Sequence, residues 1–209
     1  MSTSPSPRAR PQRGGITGAD AAHDDALVIL DMISCWSFPD AELLVRGARQ
    51  VAPVIARLKQ RCRAAGVPVI YANDNSGQWR SDFKFVVRES LESAGGGAEI
   101  TRLLEPDDED YFVLKPKHSA FFATPLEILL DHLCTKRLLI VGVAGDQCVA
   151  NTAADAHMRD FEVVVPRDAI ASQTDGRNRR AVEQMAEAMR VKVPTASAVR
   201  LARRPARAG

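Results

Sequence analysis

The sequence contains few aromatic residues, cysteines and histidines, and their scarcity excludes some classes of protein. Aromatic residues make up 5% of the 209 residues, and there are four cysteines and four histidines. No C-x-x-C pair occurs, so neither a disulfide framework nor a zinc knuckle is indicated. No run of about 18 uninterrupted apolar residues occurs either, which excludes a typical membrane-spanning helix.

A strong excess of charge is also missing from the body of the chain. The net charge is +2, but the first 20 residues contribute +2 and the last ten +4, which leaves −4 for the rest. A mildly acidic body is untypical of nucleic-acid binding, so we expect neither a nucleic-acid nor a membrane partner. We interpret residues 1–24 and 200–209 as flexible basic tails, with contact to an anionic partner as the alternative, around one domain at residues 25–199.

The remaining composition is that of a globular protein. Hydrophobic residues make up 45% and charged residues 26%, and the length suits one α/β domain. The first residues, MSTSPSPRARPQRGG, lack the apolar segment of a secretory signal peptide, so we predict a cytoplasmic protein with reduced cysteines.

Short apolar runs alternate with helical patterns. The predicted strands are 26–30, 67–71, 111–114, 137–143 and 161–165, with a weak sixth at 191–193, and the predicted helices are 41–65, 124–134, 147–160 and 177–190. Pro53 is expected to kink or divide the first helix. Residues 80–110 show no regular pattern, and the acidic run 107–110 is expected to be a solvated turn. The alternation predicts a parallel sheet covered on both faces by helices.

Three reactive residues follow predicted strands. Asp31 follows the first, Lys115 the third, and Cys148 the fourth, where a helix begins. The carboxyl ends of parallel strands share one edge, where ligands bind. There a helix N-terminus and Lys115 would stabilise a thiolate, and Asp31 would accept the thiol proton. Taken singly, each residue also fits an ordinary role as a cap, a solvated side chain or a core residue.

Two neighbours compete for these roles. Lys117 lies two residues after Lys115 and would point to the same side of a continuing strand. His118 is a second candidate partner for the thiol.

The segments around these residues resemble the isochorismatase-like cysteine hydrolase superfamily, which includes nicotinamidases, N-carbamoylsarcosine amidohydrolases and ureide amidohydrolases. The matching segments are residues 30–32, 115–121 and 142–149, with support from Thr124, Leu126, Thr152, Ala153, Asp155, Asp168 and Ala169. The spacing of the proline and the Ser-Ala-Phe selects Lys115 over Lys117.

The resemblance implies an α/β fold of three layers, αβα, with a six-stranded, mainly parallel sheet. It implies that Asp31, Lys115 and Cys148 are the catalytic set, without a cofactor. It also implies a cis peptide bond between Val143 and Ala144, with the backbone N–H groups of Ala144 and Cys148 as the oxyanion hole. A homo-oligomer, dimer or tetramer, is expected.

Some positions depart from the family pattern. Gly145 stands where the family often has Thr, and Ile33 where it often has Gln. Isochorismatases themselves typically lack the cysteine, so Cys148 argues against vinyl-ether cleavage. The histidines of the nicotinamidase metal site are missing from residues 73–79, so we predict no metal and disfavour nicotinamide as the substrate.

Aromatic and amide side chains near the motifs are candidates for substrate binding. Trp36, Phe38, Trp79 and Phe121 could wall a pocket for a planar amide or ureide, or serve as ordinary core or lid packing. Asn73 could bind a substrate carbonyl or cap a turn. The resulting hypothesis is a cysteine hydrolase of small amides or ureides that forms a thioester. The alternative is an inactive relative that binds a metabolite or a protein.

Overall fold

The computed structural model describes residues 23–74, 82–93 and 96–202. Its strands are β1 (Asp25–Leu30), β2 (Val69–Asp74), β3 (Tyr111–Lys115), β4 (Arg137–Val143), β5 (Glu162–Val164) and β6 (Ile170–Ala171). Its α-helices are α1 (Ala41–Ala64), α2 (Phe83–Glu92), α3 (Gly97–Leu103), α4 (Leu126–His132), α5 (Ala150–Met158) and α6 (Asp175–Ala188). A π-helical turn, here named the Cys148 turn (Gly145–Val149), precedes α5, and a 3₁₀ turn spans Ala196–Ala198.

The strands form one parallel sheet in the order β3-β2-β1-β4-β5, and β6 pairs with the end of β4. The predicted α/β fold with a six-stranded, mainly parallel sheet is therefore confirmed. The sixth strand differs from the expectation, because residues 191–193 contribute a single bridge between Val164 and Lys192. The sixth strand is instead Ile170–Ala171, which pairs with β4. Two residues are too few to give a periodic signal in the sequence.

Both faces of the sheet are buried. Along β1, Leu27 and Ile29 pack in the core under α1, whereas Ala26, Val28 and Leu30 pack in the core under α4, α5 and α6. Strands buried on both faces carry continuous apolar runs, which explains why β1 and β4 were recognisable from sequence.

Helix α1 runs without division through Pro53, so the expected division at this proline is wrong, whereas the expected kink stays a prediction. The helix buries Ala48, Ala52 and Ile55 against the sheet, and this packing outweighs the local cost of the proline. The apolar pattern of this segment also predicts Leu43 on the buried side of the helix, but the structure shows it exposed.

Residues 82–110 are more regular than the sequence predicted. Helix α2 begins at a cap in which the Asp82 carboxylate accepts a hydrogen bond from the Phe85 N–H, and α3 follows. The acidic run is not a solvated turn throughout. The Asp110 side chain is 4% exposed and forms ion pairs with Lys59 at 3.2 Å and Arg63 at 2.6 Å.

Residues just outside both expected domain limits are hydrogen-bonded to the domain. The His23 N–H donates to the Leu133 carbonyl at 3.1 Å, and the Ala202 N–H donates to Asp25 at 2.7 Å. Residues 23–24 and 200–202 are thus tied to the domain, while the rest of both predicted tails lies outside the described residues. No helix in the described ranges is long and apolar enough to span a membrane.

Candidate active site

The site lies at the carboxyl edge of the sheet, where the strand order reverses. Leu30 at the end of β1 pairs with Gly142 near the end of β4, and the chain continues from these neighbouring strands into Asp31 and the Cys148 turn. Lys115 is the last residue of β3, two strands away from β1. Its long side chain therefore has to reach past β2 to meet the other two residues.

Asp31 and Lys115 form a buried ion pair. The Lys115 Nζ lies 2.8 Å from Asp31 Oδ2, and the two side chains are 0% and 17% exposed. The second carboxylate oxygen, Oδ1, accepts a hydrogen bond from the Asp74 N–H at 2.8 Å. Asp31 has φ of 52°, a left-handed conformation that aspartate tolerates. Its carboxylate is thus held on both oxygens.

Cys148 completes a three-residue cluster. Its Sγ lies 3.4 Å from Lys115 Nζ, which also donates to the Lys117 carbonyl at 3.3 Å. The ammonium therefore bridges the carboxylate and the sulfur. The structure brings together the three residues proposed from sequence, and Lys115 rather than Lys117 supplies the buried ammonium.

Two members of the cluster, Cys148 and Lys115, have a raised pKa. Burial raises the pKa of the Cys148 thiol to about 12, and the Asp31 charge adds to this rise while Lys115 opposes it. Burial works against the charge on Lys115, but the carboxylate of Asp31 and the neighbouring Cys148 and Asp74 raise its pKa above the ordinary value. At neutral pH the resting site therefore holds a thiol beside an ammonium, and a base must take the thiol proton.

His118 contacts the thiol from the solvent side. Its Nδ1 lies 3.7 Å from Cys148 Sγ, and the side chain is exposed. This is a longer contact than that of Lys115. His118 thus approaches the sulfur from an exposed position, whereas Lys115 and Asp31 are largely buried.

Backbone geometry shapes the turn that carries the thiol. The peptide bond between Val143 and Ala144 is cis. Gly142 has φ of 112°, and a Cβ there would lie 2.1 Å from the Leu30 carbonyl oxygen, so only glycine fits. The N–H of Cys148 lies in the first turn of a helical segment, where N–H groups lack carbonyl partners within the helix. Such a group suits the oxyanion role expected of Ala144 and Cys148.

Two proposed substrate-binding residues lie near the loop that follows β1. Asn73 is 2% exposed, and its Nδ2 donates to the Ile33 carbonyl at 2.6 Å, so the side chain holds this loop rather than capping a turn. Its Oδ1 has no hydrogen-bond partner among the described residues. Phe38 is 44% exposed and lies with its ring centroid 6.2 Å from that of Trp36.

The other two residues proposed to bind substrate are the aromatic residues Phe121 and Trp79. Phe121 is buried in the core under α4 to α6, with Phe161 at 6.0 Å between ring centroids and the Arg159 guanidinium at 4.8 Å from its ring. The structure thus places Phe121 in the core, which is one of the two roles that the sequence left open. Trp79 lies outside the described residues.

Hydrogen bonds connect α5 to residues 115–121, here named the Lys115 segment. The residues that make these bonds had no assigned role in the interpretation of the sequence. Ser119 donates a hydrogen bond to Asp155, and the Ala120 N–H donates to Thr152 Oγ1 at 3.0 Å. These positions belong to the matching motif segments, which is the signal by which they could have been found. They fix the Lys115 segment against the helix that follows the thiol.

Comparison with known proteins settles the family. A family model described as the isochorismatase domain matches residues 25–197. The chain belongs to the isochorismatase family. The isochorismatase family protein YaaI of Bacillus subtilis is 38% identical over 172 residues, covering 82% of this chain and 94% of that protein.

Two further family relatives bear on activity and fold. The N-carbamoylsarcosine amidase of an Arthrobacter species is 26% identical over 160 residues, covering 72% of this chain and 61% of the amidase. The crystal structure of an isochorismatase family protein from Desulfovibrio vulgaris has a TM-score of 0.69 and 30% identity, covering 84% of this chain and 96% of that one.

Proposed function

We propose that this isochorismatase-family protein is a cysteine hydrolase that cleaves a C–N bond in a small amide or ureide. The observation that carries the proposal is the contact of Lys115 Nζ with both Asp31 Oδ2, at 2.8 Å, and Cys148 Sγ, at 3.4 Å. The similarity to an amidase of N-carbamoylsarcosine supports this class of substrate.

The first half of the proposed reaction forms a thioester. Asp31 takes the thiol proton, and the sulfur of Cys148 attacks the substrate carbonyl carbon. The resulting oxyanion receives hydrogen bonds from the backbone N–H groups of Ala144 and Cys148. Asp31 then passes the proton to the leaving nitrogen, the C–N bond breaks, and ammonia or an amine departs.

The second half restores the thiol. Asp31 takes a proton from water as the water oxygen attacks the thioester carbonyl, and the C–S bond breaks. The proton returns to the sulfur, and a carboxylic or carbamic acid leaves. Lys115 keeps its charge throughout, because its raised pKa disfavours deprotonation, and it stabilises whichever of the carboxylate and the thiolate is charged.

The test is a screen of ammonia release from amides, N-carbamoyl compounds and ureides. Cys148→Ala should abolish turnover of the best substrate, whereas Cys134→Ala, at an exposed cysteine, should leave it unchanged. A Cys148→Ala protein with full turnover would refute the cysteine mechanism.

The alternative is an inactive family member that binds a metabolite or a protein. The departures at Ile33 and Gly145 and the raised thiol pKa favour it. Intact-mass measurement during turnover separates the two, because an active enzyme transiently gains the mass of the acyl group on Cys148. The cytoplasmic location, the homo-oligomer, the sole small-molecule partner and the absence of metal and cofactor remain predictions.

A further inference from the structure

A side chain at the first residue of the Cys148 turn would meet the ends of two neighbouring side chains, which would have to shift. A Cβ on Gly145 would lie 2.4 Å from Asn178 Oδ1 and 3.0 Å from Ser172 Oγ. The crowding comes from the first turn of α6 and the residue after β6, not from the backbone of the turn. The family often has Thr at this position, and in this chain the side chains of Asn178 and Ser172 occupy the space beside Gly145.

Asn178 connects three elements around this turn. The Asp146 N–H donates to Ser172 Oγ at 3.2 Å, and Ser172 Oγ donates to Asn178 Oδ1 at 3.4 Å. Asn178 Nδ2 in turn donates to the Ile170 carbonyl at 3.2 Å. Because Ile170 pairs with Gly142, the chain of bonds leads from the turn back to the end of β4.

An ion pair reinforces the same connection. Arg177 Nε lies 2.6 Å from Asp146 Oδ2, and Thr174 caps α6 by accepting a hydrogen bond from the Arg177 N–H at 3.2 Å. Two consecutive residues of α6 thus face the Cys148 turn. Arg177 pairs directly with the Asp146 side chain, whereas Asn178 is connected to the Asp146 N–H through Ser172. Helix α6 carries no residue of the proposed catalytic set, so its effect on the chemistry is indirect.

We propose that Asn178 is a positioning residue that occupies the space of a side chain at position 145 and holds the Cys148 turn in its reactive orientation. The sulfur and the N–H of Cys148 both move with this turn. The catalytic consequence rests on the proposed function, but the positioning itself does not.

The test is a double-mutant cycle of Gly145→Ala, Asn178→Ala and the combined variant. Each single change should lower kcat at least tenfold with less than a twofold change in KM, since the turn carries the attacking group. The combined variant should be at least as active as either single variant, because removing the amide makes room for the methyl group. Arg179→Ala, an exposed site on α6, is the matched control and should match the wild type.

A second measurement reports on the position of the thiol in the Cys148 turn and does not require a substrate. The rate at which iodoacetamide alkylates Cys148, mapped by mass spectrometry, should change in both single variants and return towards wild type in the combined one. This result would stand even if Cys148→Ala retained activity and the proposed function failed. Losses that multiply in the combined variant, or alkylation rates equal in all four proteins, would overturn the proposal, as would losses that only follow the unfolded fraction in thermal melts.

Discussion

Lys115 and Lys59 are both buried beside an aspartate, but their surroundings differ. Lys115, at the carboxyl edge of the sheet, divides its contacts among Asp31, the Lys117 carbonyl and the sulfur of Cys148. The Nζ of Lys59 donates to the Tyr71 hydroxyl at 2.6 Å and to the Glu105 carbonyl at 2.7 Å, and lies 3.2 Å from Asp110. Among the described residues, these hydrogen-bond and ion-pair partners of the Lys59 Nζ are oxygen atoms, and the Nζ also lies 5.0 Å from the centroid of the Tyr71 ring.

The two pairs also differ in the direction of their pKa shifts. Burial lowers the pKa of Lys59, and the attraction of Asp110 does not compensate for it while Arg63 adds repulsion. Burial acts the same way on Lys115, but Asp31, Cys148 and Asp74 overcome it and raise its pKa. The two buried Lys–Asp pairs also differ in a third neighbour, which at Lys115 is the thiol of Cys148, and the proposed reaction depends on that thiol.

The largest expected contrast comes from replacing each lysine with methionine. Lys115→Met should lower kcat/KM by about 10³-fold, because it removes the charge that stabilises the thiolate. Lys59→Met should leave the activity of the folded protein nearly unchanged but lower the free energy of unfolding by about 2 kcal/mol, since it removes the hydrogen bonds that Lys59 donates to the Tyr71 hydroxyl and the Glu105 carbonyl. Ammonia release and urea unfolding measure the two effects. Equal losses of activity in both variants would remove the distinction.

Asp31→Asn should have opposite effects on two rates, lowering turnover and raising the reactivity of the Cys148 thiol. The change removes the proton acceptor, so kcat should fall by about 10²- to 10⁴-fold. It also removes a negative charge that raises the pKa of Cys148 while Lys115 remains, so alkylation by iodoacetamide at pH 8 should become faster. The matched variant Asp110→Asn, at the other pair, should change neither rate. Slower alkylation in Asp31→Asn would contradict this account of the thiol.

His118→Ala should have a smaller effect. The imidazole lies 3.7 Å from the sulfur on the exposed side, so we expect kcat/KM to fall by less than about tenfold, below the effect of a general base. Exposed His132→Ala on α4 is the control. A loss above 100-fold, together with an active Asp31→Asn protein, would make His118 the base instead.

The smallest expected effect is a pH dependence of stability that differs between the pairs. Lys59 has a lowered pKa in the folded state, so the unfolded chain binds more protons and the Lys59 contribution to stability grows as pH rises towards the ordinary lysine value of about 10.4. Lys115 has a raised pKa, so its contribution is complete below that value and is lost only above it. Urea unfolding of both methionine variants and wild type from pH 7 to 10.5 measures this. A gap between wild type and Lys59→Met that shrinks over this range would contradict it.

The reactive residues were predictable because each belongs to a local pattern. Asp31 follows a strand buried on both faces, and the segments around Lys115 and Cys148 match spaced motifs. Helices α2 and α3 were missed because they span only ten and seven residues and are separated by the glycines at 95–97. The motif around Phe121 did not separate the core from the pocket, since both uses favour an aromatic side chain.

Local sequence patterns were sufficient to predict a parallel α/β domain and to select Asp31, Lys115 and Cys148 as the proposed catalytic set, because runs of apolar residues and short motifs are local properties. The contacts of Lys115 with both Asp31 and Cys148, the burial of Asp110 with Lys59 and the approach of Asn178 to Gly145 are visible only in the folded structure. These contacts join residues far apart in the chain, and their distances depend on strand register and helix packing, which no local pattern contains.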